Sequence, residues 1–246
     1  YPIALQTAVK EFYGDKTSNI LSDANNILAV EYIKNINDNI KIVPIKRIGV
    51  SHDSDATFEK FASASKIREM LKNHEDASSF IPEGYSNFSD FKKIENSVFL
   101  KIRSLTKNEL LTTPDMTDDL ADRFINSARN STSYDEFLST VKTKRYTLAR
   151  IKRVILCAYL GIKKDDLSYS LPYIRILGMN TNGKEVLSNL NDSCPPVNTS
   201  LSALSKISDS ALRCAEIEAY STDIFAFATE KSLPAGSDFR SFPIIL

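Results

Sequence analysis

The sequence predicts an α/β region followed by a mostly α-helical region with a small strand area near the C-terminus. Apolar residues recur at helical spacing on both sides of a short Ile- and Val-rich stretch, Ile40 to Ile48, and from Phe91 to about Leu160 the pattern is nearly all helical. Beyond Gly161 the run Tyr173-Ile174-Arg175-Ile176-Leu177 restores strand character. A chain of 246 residues accommodates one or two domains with cores of their own.

Taken in order, Leu5, Ala8, Val9 and Phe12 fit one face of a helix from Ile3 to Tyr13, ended by Gly14-Asp15-Lys16. Ser22 to Asn26 is a polar approach to a second helix, Ile27 to Ile36, and either Asn25 or Asn26 is its expected N-cap. Ile40 to Ile48 reads as a strand, Val50 to Lys60 as a polar loop, and Phe61 to Leu71 as a helix capped by Ser63 with Ile67, Met70 and Leu71 on its apolar side. This α-then-β-then-α order is that of the second half of a wound α/β domain. Strand character disappears near residues 75 to 90, which places a domain boundary there and divides the chain at about residue 80, into 1–80 and 81–246. Helices follow over Phe91 to Leu105, Leu120 to Ala128, Tyr134 to Val141 and Leu148 to Leu160. After the Tyr173 strand come a short helix from Asn182, a second strand at Val197, a long helix from Ser210 to Ala228 and an apolar tail, Phe239 to Leu246, that docks.

The totals exclude several classes. Hydrophobic residues make 42% and charged residues 25%, as in soluble globular proteins. Lys plus Arg and Asp plus Glu both total 31, so no overall field selects nucleic acid or membrane, and any basic surface is local. Cys157, Cys194 and Cys214 are unpaired in spacing, which favours a reducing, cytoplasmic location over a disulfide framework or a zinc site. No run reaches the roughly 18 apolar residues of a membrane span. The chain opens at Tyr1-Pro2 without Met, inside a helical pattern, and reads as a fragment.

Two stretches carry candidate chemistry. The first turn after Ser63 holds Lys66 and Arg68 where the helix dipole favours acids; an anion bound there, met by free N–H groups, the Ser63 and Ser65 hydroxyls and the Arg68 guanidinium, would account for them. The other reading is an ordinary capped helix with solvated cations. Arg47, at the carboxyl end of the predicted strand, suits a nucleotide phosphate or a pairing Glu. The second stretch, Lys142-Thr143-Lys144-Arg145-Tyr146 with Arg150, Lys152 and Arg153, is the densest positive cluster, and its interleaved tyrosine suits an RNA backbone, although such helices also occur as plain solvated surface. Arg123, Arg129 and Asn130 would widen it. His52-Asp53 has no further ligand nearby, no metal-binding spacing occurs, and no catalytic constellation is complete.

The ordered set Asn25 to Lys34, Lys46-Arg47-Ile48-Gly49, His52-Asp53 and Ala62 to Arg68 resembles the bacterial tRNA(Met) cytidine acetate ligase family. The likeness continues through Arg129 to Thr132, Val141 to Thr147, Tyr173 to Gly178 and Thr222-Asp223-Ile224, and so covers nearly the whole chain. It implies a partial nucleotidyltransferase-like, Rossmann-type core in 1–80 and a mainly helical, tRNA-binding 81–246. It implies ATP with Mg2+, acetate and tRNA as partners, and no membrane. By the same resemblance, Asn25 or Asn26, Arg47, Ser63, Ser65 and Arg68 contact ATP, with Ser65 where the family usually has Thr. Lys142, Lys144, Arg145, Tyr146, Arg150 and Arg153 face tRNA. The family's HxGH signature does not occur in this chain, so its catalytic residues are not assigned and the chain alone is expected to be inactive. A small-cofactor adenylyltransferase and a non-catalytic RNA-binding module are the competing readings.

Overall fold

The computed structural model describes residues 2–37, 39–45, 57–58, 61–82, 88–168, 170–190 and 195–246. The chain divides into two compact units, Tyr1–Ser86 and Asn87–Leu246.

In the first unit, α1 (Pro2–Ser18) is broken at Gly14, whose φ of 79° is left-handed backbone that glycine adopts without a Cβ clash. Helical turns then resume as far as Ser18, beyond the end predicted at Gly14. A short 3-10 turn leads to α2 (Ala24–Asn35). The cap of α2 is Asp23, not either asparagine: its carboxylate accepts from Asn25 N at 2.7 Å, because an extended residue directly before the first turn is the one that reaches the free amides. The strand expected over Ile40 to Ile48 is not formed in its described part. Residues 41–45 are irregular, and Ile42, Val43 and Ile45 are exposed. A strand is held by its neighbour's hydrogen bonds, no described segment pairs here, and Pro44 lacks a donor. Lys46, Arg47 and Ile48 lie outside the described residues. The strands among the described residues of this unit, β1 (Thr57–Phe58) and β2 (Phe61–Ala62), pair antiparallel and deliver the chain to α3 (Ala64–Lys72).

The second unit begins with a bundle of α4 (Glu95–Ser104), α5 (Lys107–Thr112), α6 (Asp118–Asn130), α7 (Tyr134–Val141) and α8 (Leu148–Leu160). Their inward faces form one core, with Phe124 edge-on to Phe137 at 5.3 Å between ring centroids and Phe99 beside Phe137 at 5.5 Å. Burial in this core pushes the Tyr134 hydroxyl up to about 12. Two arginines fasten helix ends. Arg103 donates to the carbonyls of Ala128 and Ser131, and Arg123 to those of Val141 and Thr140, each placing a cation at a negative helix C-terminus. α5 escapes periodicity because it has only 6 residues, yet the Thr106–Glu109 capping box marks its start. α8 stops at Gly161, with φ 69°, and Ile162 N donates back to Cys157 O at 2.8 Å.

A second core follows, built by Tyr173, Leu201, Leu204, Ala211, Ala215 and Ala219. Here β3 (Ile174–Arg175) runs parallel to β5 (Val197–Asn198), and β4 (Gly178–Met179) parallel to β6 (Ile244–Ile245). A Cβ on Gly178 would sit 3.1 Å from Ile244 O, so the close approach of the tail favours glycine there and a larger residue would push the tail strand back by a few tenths of an ångström. α9 (Thr181–Ser188), α10 (Leu201–Leu204) and α11 (Asp209–Phe227) complete the unit. The predicted strands at Tyr173 and Val197 form, the long C-terminal helix forms, and the tail docks as a strand. Cys194 lies outside the described residues.

Candidate functional site

In the first unit the predicted anion site is the start of α3. Ser63 is its N-cap, buried and extended, with its hydroxyl accepting from Lys66 N at 3.1 Å. Ser65 is half-buried, and Arg68, one turn on, donates from Nη2 to Ser65 Oγ at 3.4 Å. Ser63, Ser65 and Arg68 are thus gathered at one helix end, with no acid in the first turn, although Lys66 also pairs with Glu69 at 3.2 Å. The capping hydroxyl fixes the turn, while the guanidinium lies on the exposed side, where a phosphate can approach. Replacing Ser63 by Ala is expected to lower stability by about 1 kcal/mol, read by thermal denaturation. Asn25 and Asn26 occupy the first turn of α2 with exposed side chains. Among the described residues no hydrogen bond joins them to the α3 turn. Arg47, His52 and Asp53 lie outside the described residues.

In the second unit, the basic cluster spans the turn between α7 and α8 and the first turns of α8. Lys142, Lys144 and Lys152 are exposed and have no ion pair among the described residues. Tyr146 is only 5% exposed and packs in the helical core. It is not on the surface for a base to stack on. Its ring instead supports two cations, since the Arg145 and Arg150 guanidinium carbons each lie 5.4 Å from its centroid. The cations also have acidic neighbours that sequence spacing did not reveal. Arg145 reaches Asp119 at 3.2 Å, and Arg153 grips Asp115 Oδ2 through Nε at 2.8 Å and Nη2 at 2.6 Å. Arg123, proposed to widen the patch, is occupied at the end of α7, whereas Arg129 is exposed.

Near the C-terminus, the segments singled out by resemblance are structural. Arg175 bridges Glu218 and Asp238, Thr222 donates to Asp238 Oδ2 at 3.0 Å, and Asp223 accepts from Gly236 N at 2.9 Å. The Arg175 guanidinium holds the Asp238 carboxyl below the ordinary carboxylate range. No described helix is long and apolar enough to cross a membrane.

The first unit thus gathers two hydroxyls and an arginine at the start of α3, and the second carries a local basic face, the features that suit a nucleotide phosphate and a nucleic acid. The family model described as HIGH Nucleotidyl Transferase matches residues 1–237, and the chain belongs to that family. Over 100% of its length it is 30% identical to the tRNA(Met) cytidine acetate ligase of Clostridium novyi (strain NT), covering 65% of that protein. The protein of the same name from Thermosipho africanus (strain TCF52B) is 31% identical over 98% of this chain and 62% of its own. Two crystal structures of Thermotoga maritima TmcAL share the fold across 100% of this chain and 66% of theirs. The apo form has a TM-score of 0.83 at 24% identity, and the form bound with alpha-thio ATP a TM-score of 0.81 at 25% identity. The chain spans less than two thirds of the length of these curated relatives. The solved folds bear out the predicted class, an α/β nucleotidyltransferase-like core followed by a helical part.

Proposed function

We propose that this chain is part of an ATP-dependent ligase that activates acetate as acetyl-adenylate and acetylates the wobble cytidine of elongator tRNA(Met). The observation that carries this reading is the similarity, along the whole chain, to proteins named tRNA(Met) cytidine acetate ligase. The likeness to a structure bound with alpha-thio ATP supports the nucleotide half of it.

In chemical terms, an acetate oxygen attacks the α-phosphorus of ATP and pyrophosphate leaves. The exocyclic amine of cytidine then attacks the acetyl carbon, loses a proton and releases AMP. The protein's part is to align carboxylate and phosphate and to neutralise developing charge. Ser65, Arg68 and the α3 amide groups would meet phosphate, with Asn25, Asn26 and Arg47 on the rest of the nucleotide. Mg2+ would enter on the ATP phosphates. Residues 1–80 are the ATP-binding portion and 81–246 the tRNA-binding portion. Lys142, Lys144, Arg145, Arg150 and Arg153 contact the RNA backbone, and Tyr146 acts from below by holding two of them.

Arg68→Ala is expected to weaken ATP binding tenfold or more, about 1.4 kcal/mol, and to leave tRNA binding intact. The double change Lys142→Ala with Lys144→Ala is expected to weaken tRNA(Met) binding and reduce its salt slope by about two. Filter binding and calorimetry read both. tRNA binding indifferent to the lysines would sink the RNA reading. Absence of acetate- and tRNA-dependent AMP release from a protein that carries this chain together with an HxGH segment would sink the ligase reading.

A further inference from the structure

The turn between α5 and α6 reaches into the basic face. Asp115 stands there in left-handed backbone, φ 60°, one of two non-glycine residues with positive φ among those described. Such a conformation persists where surrounding contacts hold it, and here they are cationic. Arg153 donates twice to Asp115 Oδ2, Arg150 donates from Nη2 to Asp115 O at 2.7 Å, and Lys164 Nζ donates to the next carbonyl, Met116 O, at 3.2 Å. Arg150 Nε is buried with no hydrogen-bond partner among the described residues. Arg153 and Asp115 remain substantially exposed, with side-chain accessibilities of 60% and 46%.

A guanidinium that meets one carboxylate oxygen through both Nε and Nη2 makes the contact that it also makes with a phosphate oxygen. The carboxylate is the anion occupying the arginine, while Lys142, Lys144 and Lys152 of the same basic cluster are exposed and have no ion pair among the described residues. We infer that Asp115 is an internal competitor for RNA phosphate: its carboxylate fills Arg153 in the free protein, and a backbone phosphate takes the same guanidinium by displacing it. The inference rests on the tRNA-binding reading of this face.

The exchange has a thermodynamic signature. A phosphate neutralised by an arginine releases a condensed salt cation from the RNA. When that arginine was already paired, the freed carboxylate recruits a cation, and the release is partly cancelled. Asp115 therefore lowers affinity and flattens the salt dependence together. An aspartate that merely adds distant negative charge leaves the count of close phosphate contacts unchanged.

Binding of an unmodified elongator tRNA(Met) transcript to the full chain, measured by filter retention from about 50 to 200 mM KCl, tests this. Asp115→Asn keeps the shape and tolerates left-handed backbone. It is expected to tighten binding about three- to tenfold and to steepen the salt slope by up to about one. Asp115→Gly, also at ease with positive φ, is expected to do the same, so a folding defect peculiar to one variant does not decide the outcome. Asp135→Asn, which removes a carboxylate paired with Lys92 on another helix, is expected to change affinity less than about twofold. Adding Arg153→Gln to Asp115→Asn should abolish the gain. If the wild-type chain binds the transcript while the two Asp115 variants do not tighten it, or if the gain survives Arg153→Gln, the competitor role is overturned and the tRNA reading stands. If the wild-type chain does not retain the transcript at any salt, both fall.

Discussion

Arg175→Met is expected to lower the stability of the second unit by about 2–3 kcal/mol, less than the full cost of unpairing a buried charge because Asp238 is half-buried and the Glu218 side chain is 36% exposed. Arg175 is 10% exposed, and its guanidinium meets Glu218 Oε2 at 3.1 Å, Asp238 Oδ1 at 2.6 Å and Ser241 Oγ at 2.9 Å. Removing it leaves two carboxylates on one side of a core that also holds Tyr173, whose hydroxyl donates to Glu218 Oε1 at 3.1 Å. The pH dependence gives a second readout. Asp238 has a folded pKa below its unfolded value, chiefly through the Arg175 hydrogen bonds. Its contribution is therefore present above the unfolded value, near 3.8, and is lost as pH falls through the lower folded value. In Arg175→Met the Asp238 carboxyl loses the guanidinium that holds its pKa down, so this contribution is missing at pH 7, while at acid pH wild type loses it too. Urea denaturation at pH 7 and pH 4 should show the larger difference from wild type at pH 7. A difference that is equal or larger at pH 4 would contradict an electrostatic clamp.

Phe124→Ala is expected to cost a further independent 3–5 kcal/mol, about the range for removing a buried aromatic ring. Phe124 is fully buried between α4, α6 and α7 and packs edge-on against Phe137. The helices around it are fixed at their ends by Arg103 and Arg123, so little collapse into the void is available and the cavity persists. Phe12→Ala is the comparison, because its ring is 81% exposed and the change should fall within about 0.5 kcal/mol. Both phenylalanines stand on the apolar stripe of a predicted helix, and periodicity treats them alike. Denaturant midpoints on the two variants separate a stripe that is buried from one that is not.

The same contrast runs through the candidate site. Ser63 as the cap of α3 was legible, since a cap is a contact over 3 residues, between Ser63 Oγ and Lys66 N. The cap of α2 lies two or three residues before the expected Asn25 or Asn26, because Asp23, Asn25 and Asn26 are all good cap types and only backbone geometry selects the first. The basic cluster was legible as charge. Its acidic partners were not, because Asp115 and Arg153 are 38 residues apart and Asp119 and Arg145 are 26 apart. Tyr146 stood out in sequence as an aromatic among cations, and burial turned it from a surface platform into a support beneath Arg145 and Arg150.

By itself the sequence determined the helical periods, the Ser63 cap, the helix end at Gly161 and the family resemblance, because each depends on residues within a few positions or on their order along the chain. The tertiary structure alone decided which stripe is buried, which cation is already paired and which carboxylates share Arg175, the last across 63 residues to Asp238. Those outcomes depend on solvent exclusion and on charge at distances of a few ångströms in space, which separation along the chain does not encode.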